Sequence, residues 1–157
     1  MSPYLADWEY FSKDKQAIIL KYEIALSIGN PRIIWVSGPH KNSHDTTIAH
    51  SSNIIRNLVA GEKLMADKAY HGDDTHFICP LSGRIRDLPR EDRTRNYMVY
   101  FVWSTVERII QQVKVFGFLN MEWQFSIEFH VLCYWVPCKL VNLFLKFEGL
   151  KKKWKLH

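Results

Sequence analysis

Cysteine is sparse in this chain and never closely paired. Cys79, Cys133 and Cys138 are the only three, and no two form a Cys-x-x-Cys unit. An odd number at such spacing excludes a disulfide framework and suits the buried thiols of an intracellular protein. Cys133 and Cys138 lie with His130 in a strongly apolar run without a fourth ligand, which argues against a zinc centre there. The first residues, Met1-Ser2-Pro3-Tyr4-Leu5-Ala6-Asp7, have neither a basic start nor a long apolar stretch, so no signal peptide is expected. Charges interrupt the longest apolar runs, so no membrane span is expected either. Internal repeats and low-complexity tracts are absent from the sequence.

What is present suits one globular domain with a core: 157 residues, 47% of them apolar and 14% aromatic. The 21 basic and 16 acidic residues leave a net charge of +5, which leans towards a polyanionic partner but also fits an ordinary basic protein.

Residues 18–28 are rich in β-formers, Gly29-Asn30-Pro31 is a turn signal, and residues 33–37 form a second strand, giving an antiparallel hairpin that Gly38-Pro39 should end. Asp45, Thr46 and Thr47 suit an N-cap for a helix carrying Ile48, Ile55, Leu58 and Val59, closed by Gly61. Residues 63–67 read as a third strand ending on Asp67. The order strand, strand, helix, strand means α/β or α+β. The long polar connection from Tyr70 to Asn96 carries Arg84, Arg86, Arg90, Arg93 and Arg95, either for phosphate contacts or as a solvated loop.

Residues 97–116 show a helical stripe of Val99, Val102, Trp103, Val106, Ile110 and Val113. Glu107 lies at the border of that stripe, able to reach a partly buried site or to pair on the surface with Lys114 or Gln111. Residues 121–147 are very apolar and read as one or two helices on the sheet, kinked or split at Pro137. The tail 151–157 is a basic run with Trp154 in it, suited to nucleic acid or simply solvated. An aspartate at a strand end and a glutamate on a helix are plausible ligands for a hard divalent cation.

Taken in order, several pieces resemble the nuclease domain of Harbinger-type transposases, the DDE superfamily endonucleases. They are Tyr10-Phe11-Ser12-Lys13, Leu20-Lys21-Tyr22-Glu23, Trp35-Val36-Ser37-Gly38-Pro39, Ser43-His44-Asp45, the run from Gly61 to Gly72 around Asp67, Val106-Glu107-Arg108, and Phe129-His130. The resemblance implies an α/β, RNase H-like mixed sheet flanked by helices over residues 1–150. It implies three carboxylates holding two Mg²⁺ or Mn²⁺ ions, with the second and third at Asp67 and Glu107. It further implies a DNA substrate, a Myb-like DNA-binding partner protein and a nuclear location.

The first aspartate of that set belongs upstream of Tyr-Phe-Ser-Lys, before a glycine. Asp7 is followed by Trp8-Glu9 and does not match. The first strand and first ligand are therefore expected to be missing, and the chain to be inactive or impaired as a nuclease. The alternatives are a non-catalytic, domesticated DNA- or protein-binding protein, or a non-functional gene fragment. His44-Asp45 is the rival source of a third ligand. The preferred reading is structural, with Asp45 capping the helix and His44 orienting the loop.

Overall fold

A computed structural model describes residues 10–13, 17–120, 123 and 125–148. Asp7 and the basic tail 151–157 lie outside the described residues. The order of elements is β1 (Phe11–Ser12), β2 (Ala17–Ile18), β3 (Lys21–Leu26), β4 (Ile33–His40), α1 (Asp45–Ser51), β5 (Leu64–Met65), β6 (Phe77–Ile78), α2 (Arg90–Lys114) and α3 (Ile127–Glu148), with short 3-10 turns between them. This is a mixed α/β fold of small sheets and three α-helices, consistent with an RNase H-like domain flanked by helices. Among the described residues the strands pair in twos: β1 with β2 and β3 with β4 antiparallel, β5 with β6 parallel. No helix among the described residues is long and apolar enough to cross a membrane. The chain divides into two compact units, Met1–Asn42 with Arg108–His157, and Ser43–Glu107.

The first unit is built on the β3–β4 hairpin. Its core is Ile33, Ile109, Val113, Cys138 and Val141, with Ile24, Leu26, Val36 and Tyr134 packed against them. The turn at Gly29-Asn30-Pro31 falls where the sequence places it, but β4 does not stop at Gly38-Pro39. Lys21 pairs with His40 and Glu23 with Ser37, so two residues of β4 face one of β3. That bulge absorbs a proline without an N–H and a glycine at φ +134. A side chain at Gly38 would put its Cβ 2.7 Å from a Tyr22 ring atom and 2.8 Å from the Lys21 carbonyl oxygen, so only glycine fits.

Helix α3 packs on this hairpin as expected, but as one helix: Pro137 is buried inside it and does not split it. Asn142 fastens it, its Oδ1 accepting from the Ile33 N–H (2.7 Å) and its Nδ2 donating to the Ile33 carbonyl (2.8 Å). Tyr22 stacks on Tyr134 with ring centroids 3.8 Å apart, and its hydroxyl lies 2.8 Å from Nδ1 of His130. Burial raises both phenols and lowers the imidazole. Each group thus stays neutral, and one proton is shared between the Tyr22 hydroxyl and the ring nitrogen.

In the second unit, α1 ends earlier than its apolar spacing predicts. Ser51 and Ser52 turn their hydroxyls back onto the carbonyls of Ile48 and Ala49, and Asn53 takes a positive φ of 67°. Side chains that bond their own backbone compete with the helix and stop it. Asp45 does not cap α1. His44 is the N-cap residue, without a side-chain cap bond, and Asp45 lies inside the first turn, where its charge complements the positive end of the helix dipole. Helix α2 starts at Arg90, seven residues before the expected start at residue 97. Pro89 precedes it, Glu91 and Asp92 occupy its first turn, and its early turns are anchored by a polar residue. That residue is Asn96, 2% exposed, which accepts from the Leu81 N–H (2.7 Å) and donates to the Leu81 carbonyl (3.1 Å).

Candidate functional site

The strand that ends at Asp67 is shorter than residues 63–67: β5 is Leu64–Met65 alone. Its position is set by β6, which the sequence did not reveal. The Leu64 N–H donates to the His76 carbonyl (2.8 Å) and the Ala66 N–H to the Ile78 carbonyl (3.1 Å). The parallel pairing stops there because Asp67 turns the chain. Its Oδ1 accepts from the Ala69 N–H (2.9 Å) and caps the short 3-10 turn Lys68–Tyr70. One carboxylate oxygen thus locks the side chain to its own backbone. Among the described residues Oδ2 takes no hydrogen bond.

Asp67 lines a pocket of about 330 Å³ with Ala66, Lys68, Pro80, Val99, Tyr100 and Trp103. Lys68 supplies a cation at the rim, and the aromatic wall comes from α2. Glu107 follows Trp103 by four positions, which places it one turn further along the same face of α2. Its side chain is exposed. Arg84, Arg86, Arg90, Arg93 and Arg95 are all exposed. Arg86 approaches Asp87 at 3.7 Å, and Arg95 donates to the Cys79 carbonyl at 3.4 Å. The first four project from the segment 84–93 around the start of α2.

A second cluster escaped the sequence reading. His50 Nε2 lies 3.0 Å from Asp73 Oδ2, and His76 Nδ1 lies 2.9 Å from the same oxygen. Among the described residues these three are the group of His, Cys, Asp and Glu side chains whose ligand atoms all lie within 4.8 Å of one another. Burial acts to raise the Asp73 carboxyl. The hydrogen bonds from the His76 side chain and backbone, with the nearby charges of His76 and His50, outweigh it and hold the carboxyl below the usual carboxylate range. The spacing of Asp73 and His76 was visible as a local signal, but His50 arrives from α1, and only the tertiary fold brings it.

The family described as DDE superfamily endonuclease matches residues 2–142, and the chain belongs to that family. No curated protein and no solved structure matches the chain. Family membership points to a transposase-type nuclease, with DNA as the substrate class and divalent metal ions as the usual cofactors. The residues here fit that group in kind. Asp67 offers Oδ2, its Oδ1 being held by the Ala69 N–H, and Glu107 offers an exposed carboxylate, and Mg²⁺ and Mn²⁺ favour such hard ligands.

Proposed function

We propose that this DDE superfamily endonuclease is a Harbinger-type, metal-dependent DNA nuclease domain, with Asp67 and Glu107 as two of its metal-holding carboxylates and residues 1–150 acting as one domain. The reading includes a nuclear location and a Myb-like DNA-binding partner, both resting on the ordered motifs. One observation supports the site: Asp67 lines a pocket together with Val99, Tyr100 and Trp103 of α2, and Glu107 follows Trp103 by one turn of that helix.

The roles follow from the chemistry of each side chain. The Ala69 N–H fixes the Asp67 carboxylate in one orientation, so Oδ2 faces a ligand at little further entropic cost. Glu107 adds a second carboxylate from a rigid helix. Lys68 and the exposed arginines of residues 84–93 hold the DNA by its phosphates and set its register. A bound pair of ions supplies Lewis acidity to both the attacking and the leaving oxygen of a phosphodiester. Two carboxylates by themselves hold two ions in register poorly, so with Asp67 and Glu107 as the only ligands turnover is expected to be weak.

The test is Mn²⁺ binding, followed by the loss of the free-ion electron paramagnetic signal, together with nicking of supercoiled plasmid. Wild type is expected to bind Mn²⁺ weakly and to nick little. Asp67→Asn and Glu107→Gln should each abolish the binding without lowering the melting temperature. Mn²⁺ binding unchanged in both variants would remove the two residues from the site. Robust nicking lost in Asp67→Asn would show that another side chain completes the set.

The arginine run favours a second reading, in which the protein binds DNA without cutting it. Salt-dependent DNA binding that survives EDTA supports it. Each phosphate-contacting arginine changed to alanine should then reduce the slope of log K against log salt by about 0.9.

A further inference from the structure

We infer that His50, Asp73 and His76 form a second metal site, for a borderline divalent ion of the zinc class, separate from the Asp67–Glu107 pair. Three donors from two segments converge there. His50 comes from the last turn of α1, and Asp73 and His76 from the connection between β5 and β6. Asp73 Oδ2 sits between the two ring nitrogens, at 3.0 Å from one and 2.9 Å from the other. The rings meet edge to face, with centroids 5.8 Å apart and an interplanar angle of 89°, so both nitrogens turn inwards rather than stacking away. The His76 N–H donates to Asp73 Oδ1 (3.2 Å), which fixes the carboxylate by its other oxygen. That backbone bond supports a ligand as an outer-shell partner would.

The donor set decides the class of ion. Two imidazole nitrogens and one carboxylate oxygen suit Zn²⁺ and its neighbours, whereas Mg²⁺ prefers oxygen alone. Zn²⁺ takes three protein ligands and leaves a fourth position to water. Exposure allows that: the His50 side chain is 52% exposed and that of His76 34%, while Asp73 is 16% exposed. Without an ion, each imidazole donates a proton towards Asp73. To hold an ion, each ring would carry its proton on the nitrogen facing away, leaving the lone pair of the facing nitrogen and the Asp73 carboxylate as ligands. The ion would tie α1 to the segment leading into β6, whose pairing with β5 ends at Ala66, next to Asp67.

Titration of the full chain with Zn²⁺ by calorimetry, and with Co²⁺ by visible absorption, tests the site. One saturable ion per chain is expected, with Co²⁺ giving the absorption of a low-coordinate nitrogen–oxygen site and Mg²⁺ failing to compete. His50→Gln and His76→Gln should each weaken Zn²⁺ binding by about tenfold or more. His50 is exposed, so its replacement leaves the fold intact, as circular dichroism would show. The Asp67→Asn, Glu107→Gln double variant should bind Zn²⁺ as wild type does, which separates this site from the nuclease pair. The inference is overturned if no saturable Zn²⁺ binding occurs, if both histidine variants bind unchanged, or if binding is lost in the double variant instead.

Discussion

The two units use the same device in different surroundings. In each, one asparagine on a long helix grips both backbone groups of a single residue: Asn142 holds Ile33, and Asn96 holds Leu81. In the first unit the gripped residue belongs to the apolar core with Ile109, Val113, Cys138 and Val141. In the second it opens the polar segment that carries the arginines, and Arg95 adds a bond to the Cys79 carbonyl beside it. The first unit would have much of its hairpin and helix in contact through burial alone. The second also buries Ile48, Ala49, Ile54, Ala66, Phe77, Cys79 and Val99, and its clamp lies where the chain leaves that buried set for the exposed arginines. A segment held by hydrogen bonds keeps its shape without an apolar face, and its sequence stays free for chemistry.

The difference can be broken at three places. The largest effect is expected at Ile109, which is fully buried in the first unit. Ile109→Ala should destabilise the fold by about 3 kcal/mol, read from the denaturation midpoint. Hydrogen exchange should show the loss first at the β3–β4 amides, and equal acceleration at the β5–β6 amides would erase the distinction between the units.

Next come the two clamps. Asn96→Ala and Asn142→Ala each strand a partly buried N–H and a carbonyl and should cost about 2 kcal/mol apiece. Asn142→Ala leaves the surrounding apolar packing in place. Asn96→Ala should free the segment after Leu81, seen as faster proteolysis there. A smaller effect from Asn96→Ala than from Asn142→Ala would mean that the second unit depends less on its clamp than argued.

The smallest effect is with pH: its sign is the same in both units, and its pH window differs. In the first, burial lowers His130, and it lowers His40 against the opposing charge of Glu23. The unfolded chain then binds protons more readily, so their contribution to stability is whole above about pH 6.5 and falls as the pH drops through that value. In the second, Asp73 is held below the usual range, so its contribution survives to lower pH and is lost only as the pH falls below about 3.9. Melting temperature against pH should therefore decline in two steps, with the upper one flattened by His130→Gln. A single step near pH 4 would show that the histidines contribute nothing.

How much was legible follows from the range of each interaction. The hairpin was readable because a turn signal and two β-rich runs lie side by side, and the long helices because apolar residues repeat at helical spacing. The ends were misread wherever polar contacts decide them. Serine hydroxyls stop α1, Asn96 and the acidic first turn extend α2 into a stretch without an apolar stripe, and a bulge carries β4 through Gly38-Pro39. By itself the sequence settled the family, the mixed α/β class and the positions of Asp67 at a strand end and Glu107 on a helix, because order and local pattern are enough for those. Only the tertiary structure decided that β6 registers Asp67, that Trp103 and Tyr100 wall its pocket, and that His50 meets Asp73 and His76. Those meetings join residues distant in the chain, and no local periodicity records which of them will touch.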